Sequence, residues 1–327
     1  MNYVNGFNVL TVSADVSLQM FLVHKLIGWL SMPKDLTPLA NVEQLSERVV
    51  RILGQNPGAF TLQGTNTFVV GTGAERLLVD TGDGNAAYSR LLTSYLESIG
   101  VRIGKVIVTH RHADHIGGVK DIQQAFDLSD EHVYKYPDTT HEEYKALADG
   151  DVLSVEGATV RVIYTPGHTK DHIALLLEEE GTLFSGDCVL GGSSTVFEHL
   201  GEYLNSIHKM KQLNPLKIYP GHGVVIDGRD KVNDVLDYYV KHRLDREAEI
   251  YALVSNHPSS VKDITGHIYP NVSMFVRPAA ERGVALHLEK LWTDGRIRLV
   301  NGKDEQVERD FADQTYKSIV HFKWAAL

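Results

Sequence analysis

Cysteine is almost absent from this chain of 327 residues, and the single one, Cys188, has no partner in the chain with which to close a disulfide. A secreted fold stapled by disulfides is thereby excluded, and a reducing compartment fits best. Long hydrophobic runs are also missing. A bilayer-spanning helix needs roughly 18 or more apolar residues, and the nearest stretch, Met20 to Leu30, is broken by His24 and Lys25. No stable membrane insertion is expected. Residues 1–47 hold no arginine, with Lys25 and Lys34 facing Asp15, Asp35, Glu43 and Glu47. That departs from the Arg-rich, acid-poor pattern of a transit peptide, and no charged stretch precedes the apolar run as a secretory signal requires. These residues read as a poorly specified extension, with Met32 an alternative start. An amphipathic, membrane-touching helix at 17–30 is the lesser reading. No Walker-type glycine loop, dinucleotide fingerprint or serine-nucleophile elbow occurs.

Basic residues are the minority: 32 Lys and Arg against 42 Asp and Glu, a net charge of −10. The deficit sits in residues 48–240, with 17 basic and 26 acidic residues, whereas 241–300 reverses the sign with 9 against 7. A phosphate-binding surface over the whole molecule is excluded, and a local basic face near the C-terminus stays open. With 43% hydrophobic and 23% charged residues the chain can bury a sizeable core and is not disordered. At about 150 residues per domain, the length allows one large domain or two.

From Arg48 onward, short β-branched and aromatic runs are punctuated by glycine. Phe60 to Val70 reads as a strand, a turn at Gly64 to Asn66 and a returning strand. Leu77 to Val79 and Val106 to Val108 read as buried strands, and Tyr88 to Ile99 has helical spacing. Further strands are predicted near Val152 to Val155, Thr159 to Tyr164, Ile173 to Leu177 and Thr182 to Phe184. Helices are predicted at Leu200 to Leu213 and Val232 to Ser255. This order implies an α/β layered domain of two sheets with outer helices, spanning 48–240. Beyond it, Arg246 to Asn256, Ser260 to His267 and Arg277 to Leu291 read as helices, followed by a strand at Arg296 to Val300. Such a composition over 241–300 is winged-helix-like, with a helical cap on the core as the alternative. The tail, 301–327, carries no pattern.

Chemistry concentrates in Thr109 to Gly118, THRHADHIGG, which sets His110, His112, Asp114 and His115 directly after a buried strand. Imidazole nitrogen and carboxylate oxygen are ligands that zinc and similar first-row ions prefer. Comparable strand-then-breaker contexts recur at Thr165-Pro166-Gly167-His168, at Ser185-Gly186-Asp187 and at Pro220-Gly221-His222-Gly223. From His112 the gaps are 56, 19 and 35 residues, so each ligand comes from a different strand end. Seven donors exceed what one catalytic zinc uses. Two ions accommodate them: His110, His112 and His168 on one, Asp114, His115 and His222 on the other, and Asp187 bridging. Paired ions about 4 Å apart can hold one hydroxide, lower its pKa and stabilise a hydrolytic transition state. Hydrolysis is the reaction class expected.

HRHADH with the later Pro-Gly-His, Gly-Asp and Gly-His-Gly elements, and Val79-Asp80-Thr81-Gly82 upstream, resembles the metallo-β-lactamase superfamily over roughly Arg48 to Val240. That resemblance implies an αββα sandwich. Leu62 to Thr67, Glu156 to Thr169 and Phe184 to Phe197 are more narrowly similar to the animal β-lactamase-like protein 2 group in the glyoxalase II-like branch. The resemblance implies two Zn2+ ions per chain, cleavage of single-stranded RNA, a C-terminal winged-helix-like domain and the mitochondrial matrix, with the cytosol as alternative. It gives catalytic roles to Asp114, as a ligand, and to Asp80, as the carboxylate beneath the metal loop that orients backbone or imidazole groups. Lys170 departs from the acidic residue expected after Pro-Gly-His-Thr.

Asn66, Lys170, Lys241 and Arg243 are candidate substrate contacts, although an Asn in a turn and charges on a solvated helix face have ordinary explanations. Cys188, next to Asp187 on a strand, should face away as a small buried residue. His172 reads as a hydrogen-bonded core histidine, with proton donation from behind the metal ligands as the alternative. Competing functions are thioester hydrolysis of the glyoxalase II type, β-lactam hydrolysis, disfavoured by a bridging Asp187, and an inert scaffold or RNA-binding subunit. No protein partner is evident.

Overall fold

The computed structural model describes residues 36–274, 276–300 and 322–327. The expected features at 17–30 and Met32, and most of the tail, lie outside the described residues. Among those described, no helix is long and apolar enough to cross a membrane. The first sheet and its helices comprise β1 (Val42–Gln44), β2 (Val49–Leu53), β3 (Asn66–Val70), β4 (Glu75–Val79), α1 (Ala86–Ser98), β5 (Arg102–Val108), the single turn α2 (Ala113–Ile116), α3 (Val119–Phe126), β6 (Val133–Lys135) and β7 (Lys145–Ala146). The strands lie in the order β1 to β7, antiparallel up to β4 and parallel from β4 to β7.

The second sheet, β13-β12-β11-β10-β9-β8, is built from β8 (Val152–Val155), β9 (Ala158–Tyr164), β10 (Ile173–Leu177), β11 (Thr182–Gly186), α4 (Leu200–Gln212, on its outer face), β12 (Lys217–Pro220) and β13 (Ile226–Asp227). Its central strand explains why 173–177 is apolar without alternation. Ile173, Leu175 and Leu177 face Val49, Phe68, Val79 and Ile107 of the first sheet, while Ala174 and Leu176 face the outer helices. Both faces are covered, so neither can be polar. On the far side of the first sheet, Tyr88, Leu92 and Leu96 of α1 recur at helical spacing against Val50, Ile52 and Val106. Asn85 caps that helix by accepting from the Ala87 N–H at 2.8 Å. The result is the αββα sandwich.

The long helix α5 (Arg229–Asn256) packs Val232, Leu236 and Tyr239 on the second sheet and continues into a C-terminal unit with β14 (Ser259–Ser260), α6 (Val261–Ile268), α7 (Arg277–Thr293), β15 (Ile297–Val300) and β16 (Lys323–Ala326). Ile250 and Val254 of α5 join Ile264, Leu288, Leu291, Leu299 and Trp324 in that unit's own core. A reciprocal cap between Ser260 and Asp263 starts α6.

Three expectations need correction. The helices predicted at 232–255 and from 246 are one helix, so no break falls at 240. Within 60–70 only β3 is a strand, because Leu62 adopts a left-handed φ of 53° and the chain before it turns. Finally, β1 lies inside the expected extension and β16 inside the expected tail, where it forms the middle strand of the sheet β14-β16-β15.

Candidate metal centre

Strand direction assembles the site. β4 and β5 are parallel, β11 and β12 are parallel, and β9 runs the same way as β11 because both are antiparallel to β10. The carboxyl ends of these five strands deliver Asp80, His110, Asp187, His222 and His168 to one rim of the sandwich. The two sheets are tied together there: the Asn66 N–H donates to the Gly221 carbonyl at 2.7 Å, and Thr65 bridges to His222. A Cβ on Gly221 would sit 2.4 Å from Asp187 Oδ1, so any larger residue there displaces that carboxylate.

The first triad is compact. His110 Nε2 lies 3.0 Å from His112 Nδ1 and 3.2 Å from His168 Nε2, and the latter two atoms are 3.0 Å apart. His168 Nδ1 faces the Val196 carbonyl at 2.7 Å, so that nitrogen carries the proton and the Nε2 lone pair points inward. Burial holds His110 well below the usual imidazole range and His168 down to about 3, so both are neutral at physiological pH. Three neutral imidazoles with converging nitrogens have no proton network to satisfy them. Zinc at 2.0–2.1 Å from tetrahedral nitrogens would space them about 3.3 Å apart, close to what is seen.

In the second triad, His115 Nε2 and His222 Nε2 are 3.3 Å apart, and Asp114 Oδ2 stands 3.3 Å from the former and 3.1 Å from the latter. Here burial is outweighed by carboxylates. Asp114, Asp187 and Asp80 raise His115 well above its usual range, and Asp187 and Asp114 raise His222 to about 9. Asp187 lies between the triads, with Oδ1 3.3 Å from His115 Nε2, and Oδ2 3.3 Å from His222 Nε2 and 3.8 Å from His168 Nε2. The donors fall into two sets, His110, His112, His168 and Asp187 in one and Asp114, His115 and His222 in the other, each with ligand atoms within 4.8 Å of one another. Neutral nitrogens on one side and excess carboxylate on the other fit a pair of cations.

Around the ligands, the residues read from sequence separate by role. Asp80, in a left-handed conformation with φ 59°, accepts from the Thr109 N–H at 2.7 Å, from the Thr109 hydroxyl at 2.8 Å and from His115 Nδ1 at 2.7 Å. It thereby contacts both the backbone and the side chain of Thr109 and the His115 imidazole. His172 is a core histidine: its Nε2 accepts the Asp187 N–H at 3.1 Å, so Nδ1 carries the proton towards Thr165 Oγ1 at 2.8 Å. Burial lowers it to about 4, which keeps it neutral as a support for Asp187. Cys188 is fully buried among Leu183, Val189 and Ile207 of the outer core, where burial pushes its thiol up, away from any nucleophilic role.

The four candidate substrate contacts are placed differently. Asn66 is 2% exposed and its Nδ2 donates to the Pro220 and Gly223 carbonyls at 2.9 Å each, so it clamps the His222 loop rather than facing solvent. Arg243 turns inward, donating to the Thr195 carbonyl at 2.8 Å with its guanidinium 4.8 Å over the Phe197 ring. Lys241 is exposed and pairs with Asp245 one turn along the helix. Lys170 is exposed beside the site loop. Sequence reasoning missed Thr109, Thr65, whose hydroxyl lies 3.2 Å from Asp114 Oδ2, and the Val196 carbonyl. It also missed Arg111, which turns its guanidinium to Asp171 and Glu198 at the edge of the site. Thr109 was readable from its place at the strand end, but a carbonyl acceptor has no residue-type signal.

The fold and donor set define a metal-binding hydrolase class, and the chain belongs to the metallo-β-lactamase superfamily, generally metal-dependent hydrolases. The superfamily profile matches residues 60–222 and a beta-lactamase associated winged helix domain matches 260–304. The chain is 46% identical over 268 residues to the "Beta-lactamase-like protein 2 homolog" of Caenorhabditis elegans, covering 80% of this chain and 90% of that protein. It is 46% identical over 218 residues to the "Atrochrysone carboxyl ACP thioesterase" of Aspergillus fumigatus, covering 65% of this chain and 68% of that protein. A Beta-lactamase domain protein from Burkholderia ambifaria shares the fold, with TM-score 0.71 and 20% identity over 90% of this chain and 96% of that one.

Proposed function

We propose that this chain is a dinuclear zinc hydrolase cutting single-stranded RNA as an endoribonuclease, working in the mitochondrial matrix, with the cytosol as the alternative. The observation that carries the hydrolase reading is Asp187, one carboxylate with an oxygen within 3.3 Å of each histidine of the second triad and 3.8 Å from His168 of the first. When bound, a pair of zinc ions supplies an activated water near neutral pH and stabilises charge on the reacting oxygens. The chain's residues provide the rest. His110, His112 and His168 present neutral nitrogens, His172 fixes the backbone of Asp187, and Asp80 fixes His115 and Thr109. The preference for RNA is supported by the resemblance to the β-lactamase-like protein 2 group, whose worm homolog aligns with 80% of this chain.

A second reading, thioester hydrolysis, is favoured by the Aspergillus relative, which is named a thioesterase, and by the inward use of Arg243. The deciding experiment incubates zinc-loaded protein with end-labelled single-stranded RNA and, in parallel, with lactoyl-glutathione and an acyl-carrier thioester. His112→Ala is the matched control. RNA fragments that vanish in the variant support the proposal. Intact RNA alongside rapid thioester hydrolysis overturns it in favour of the second reading.

A further inference from the structure

The segment after Asp187, residues 187–199, carries no helix or extended strand, and residues 192–197 make no backbone-to-backbone hydrogen bond among the described residues. Yet it contains the Val196 carbonyl, which accepts from His168 Nδ1 at 2.7 Å, and the Thr195 hydroxyl, 3.2 Å from the same atom. Something other than its own backbone must fix those acceptors. Helix α5 does so with two residues one turn apart. Tyr239 accepts the Leu190 N–H at 3.0 Å and donates its hydroxyl to the Ser193 carbonyl at 2.5 Å. Arg243 donates to the Thr195 carbonyl at 2.8 Å and lies 4.8 Å over the Phe197 ring, gripping the residues on either side of Val196. Phe197 is in turn stacked on Tyr203 at 5.4 Å and meets His287 of α7 edge-on at 6.4 Å.

We infer that Arg243 is a positioning residue for the metal centre: by holding Thr195 and Phe197 it fixes the Val196 carbonyl, and through it the tautomer and aim of His168. The first triad is thereby coupled to α5, whose far half packs Ile250 and Val254 into the core of the C-terminal unit. The inference rests on the metal-centre reading for its consequence, but the His168 hydrogen bond is a property of the metal-free chain. A hydrogen-bonded partner of a ligating histidine typically changes metal affinity about 10–100-fold. A partner one step removed should fall at the lower end.

The test compares full-length Arg243→Met, which keeps an apolar stem over Phe197 and loses the donor, with Arg296→Gln. The latter breaks an ion pair to Glu247 (3.1 Å) in the C-terminal unit without touching 190–197. Histidine 15N–1H correlation spectra of metal-free protein should show His168 wholly in the Nδ1–H tautomer in wild type and Arg296→Gln, and as a mixture in Arg243→Met. Zinc competition against a chromophoric chelator should show one site weakened about tenfold in Arg243→Met alone. A single tautomer and wild-type affinity at both sites in that variant overturns the inference. Should Arg243→Met fail to fold, Arg243→Gln and Arg243→Lys replace it. Lys retains charge and reach and should behave closer to wild type, and equal behaviour of the two overturns the inference. Folded wild-type protein that takes up no zinc would sink the metal-centre reading instead, leaving the metal-free spectra to decide this one.

Discussion

Replacing Asp80 by Asn separates orientation from shape. The buried Asp80 carboxylate receives three donors, the Thr109 N–H, the Thr109 hydroxyl and His115 Nδ1. Asn is nearly isosteric and tolerates the left-handed backbone at φ 59° at least as well as Asp, so the chain path should persist. The amide has one oxygen. If that oxygen keeps the Thr109 N–H, the NH2 replaces Oδ2 and confronts His115 Nδ1, donor against donor. Relief comes only if the imidazole shifts its proton to Nε2, the atom that points 3.3 Å from His222 Nε2 into the centre. A protonated Nε2 cannot ligate. The cost is a tautomer penalty plus a weakened hydrogen bond, together about 1.4–2.7 kcal/mol, or 10–100-fold in affinity at the Asp114, His115 and His222 site. Competition titration with zinc would therefore show two tight sites in wild type and one in Asp80→Asn, with hydrolytic rate falling at least tenfold. Two sites of unchanged affinity in a folded variant would refute the tautomer argument.

Other consequences follow from local geometry. Gly221→Ala drives a methyl to within 2.4 Å of Asp187 Oδ1, so the shared carboxylate must move, and activity should drop at least 100-fold with zinc uptake reduced below two per chain, read by elemental analysis. Asn66→Ala leaves two buried carbonyls of the 220–223 loop without donors and should lower unfolding free energy by about 2–4 kcal/mol in a urea titration. His287, lowered to about 3 by burial first and then by Arg243, Arg246, Lys290 and His242, is neutral when folded. The unfolded chain takes up that proton below its own pKa of about 6.5, so stability is lost as pH falls through this range, by about 2 kcal/mol between pH 7 and 5. His287→Gln should flatten this acid limb by that amount; an unchanged slope would contradict the assignment.

The clustering of the histidine and aspartate donors was legible because most lie in a short signal: an apolar strand, a breaker, then a donor. Cys188 is buried as expected, but not by strand alternation: β11 ends at Gly186, in a left-handed conformation with φ 48°, and Asp187 and Cys188 follow it in a turn. What joins those signals was not legible. The Asn66 clamp spans 154 residues to Pro220 and its acceptors are carbonyls, which any residue possesses. Two- and three-residue strands such as β7, β13 and β6 are too short for periodicity to register. Buried charges were also hidden. Lys135 at 2% exposure is satisfied by Asp138 and Asp171, partners that no local pattern identifies.

The division drawn at 240 falls inside one continuous helix, and that helix carries a further signal. Net charge changes sign there, but charge follows the solvated surface, whereas helix continuity follows the buried stripe. Along α5 the inward positions are Val232, Leu236, Tyr239, Glu247, Ile250 and Val254, and helical spacing from Tyr239 to Glu247 passes through Arg243. The stripe is therefore unbroken from the sandwich to the C-terminal core, with two charged residues in its middle. A charge drawn out of water, fully at Glu247 and partly at Arg243, needs a defined partner. Glu247 finds Lys290 at 3.0 Å and Arg296 at 3.1 Å inside the C-terminal unit, while Arg243 finds the Thr195 carbonyl beside the metal centre. Charged residues on an otherwise apolar stripe thus mark the stretch where one helix leaves the first core and enters the second. At that junction the chain ties its C-terminal unit to the site loop, so cutting at 240 would remove Arg243 along with the domain behind it.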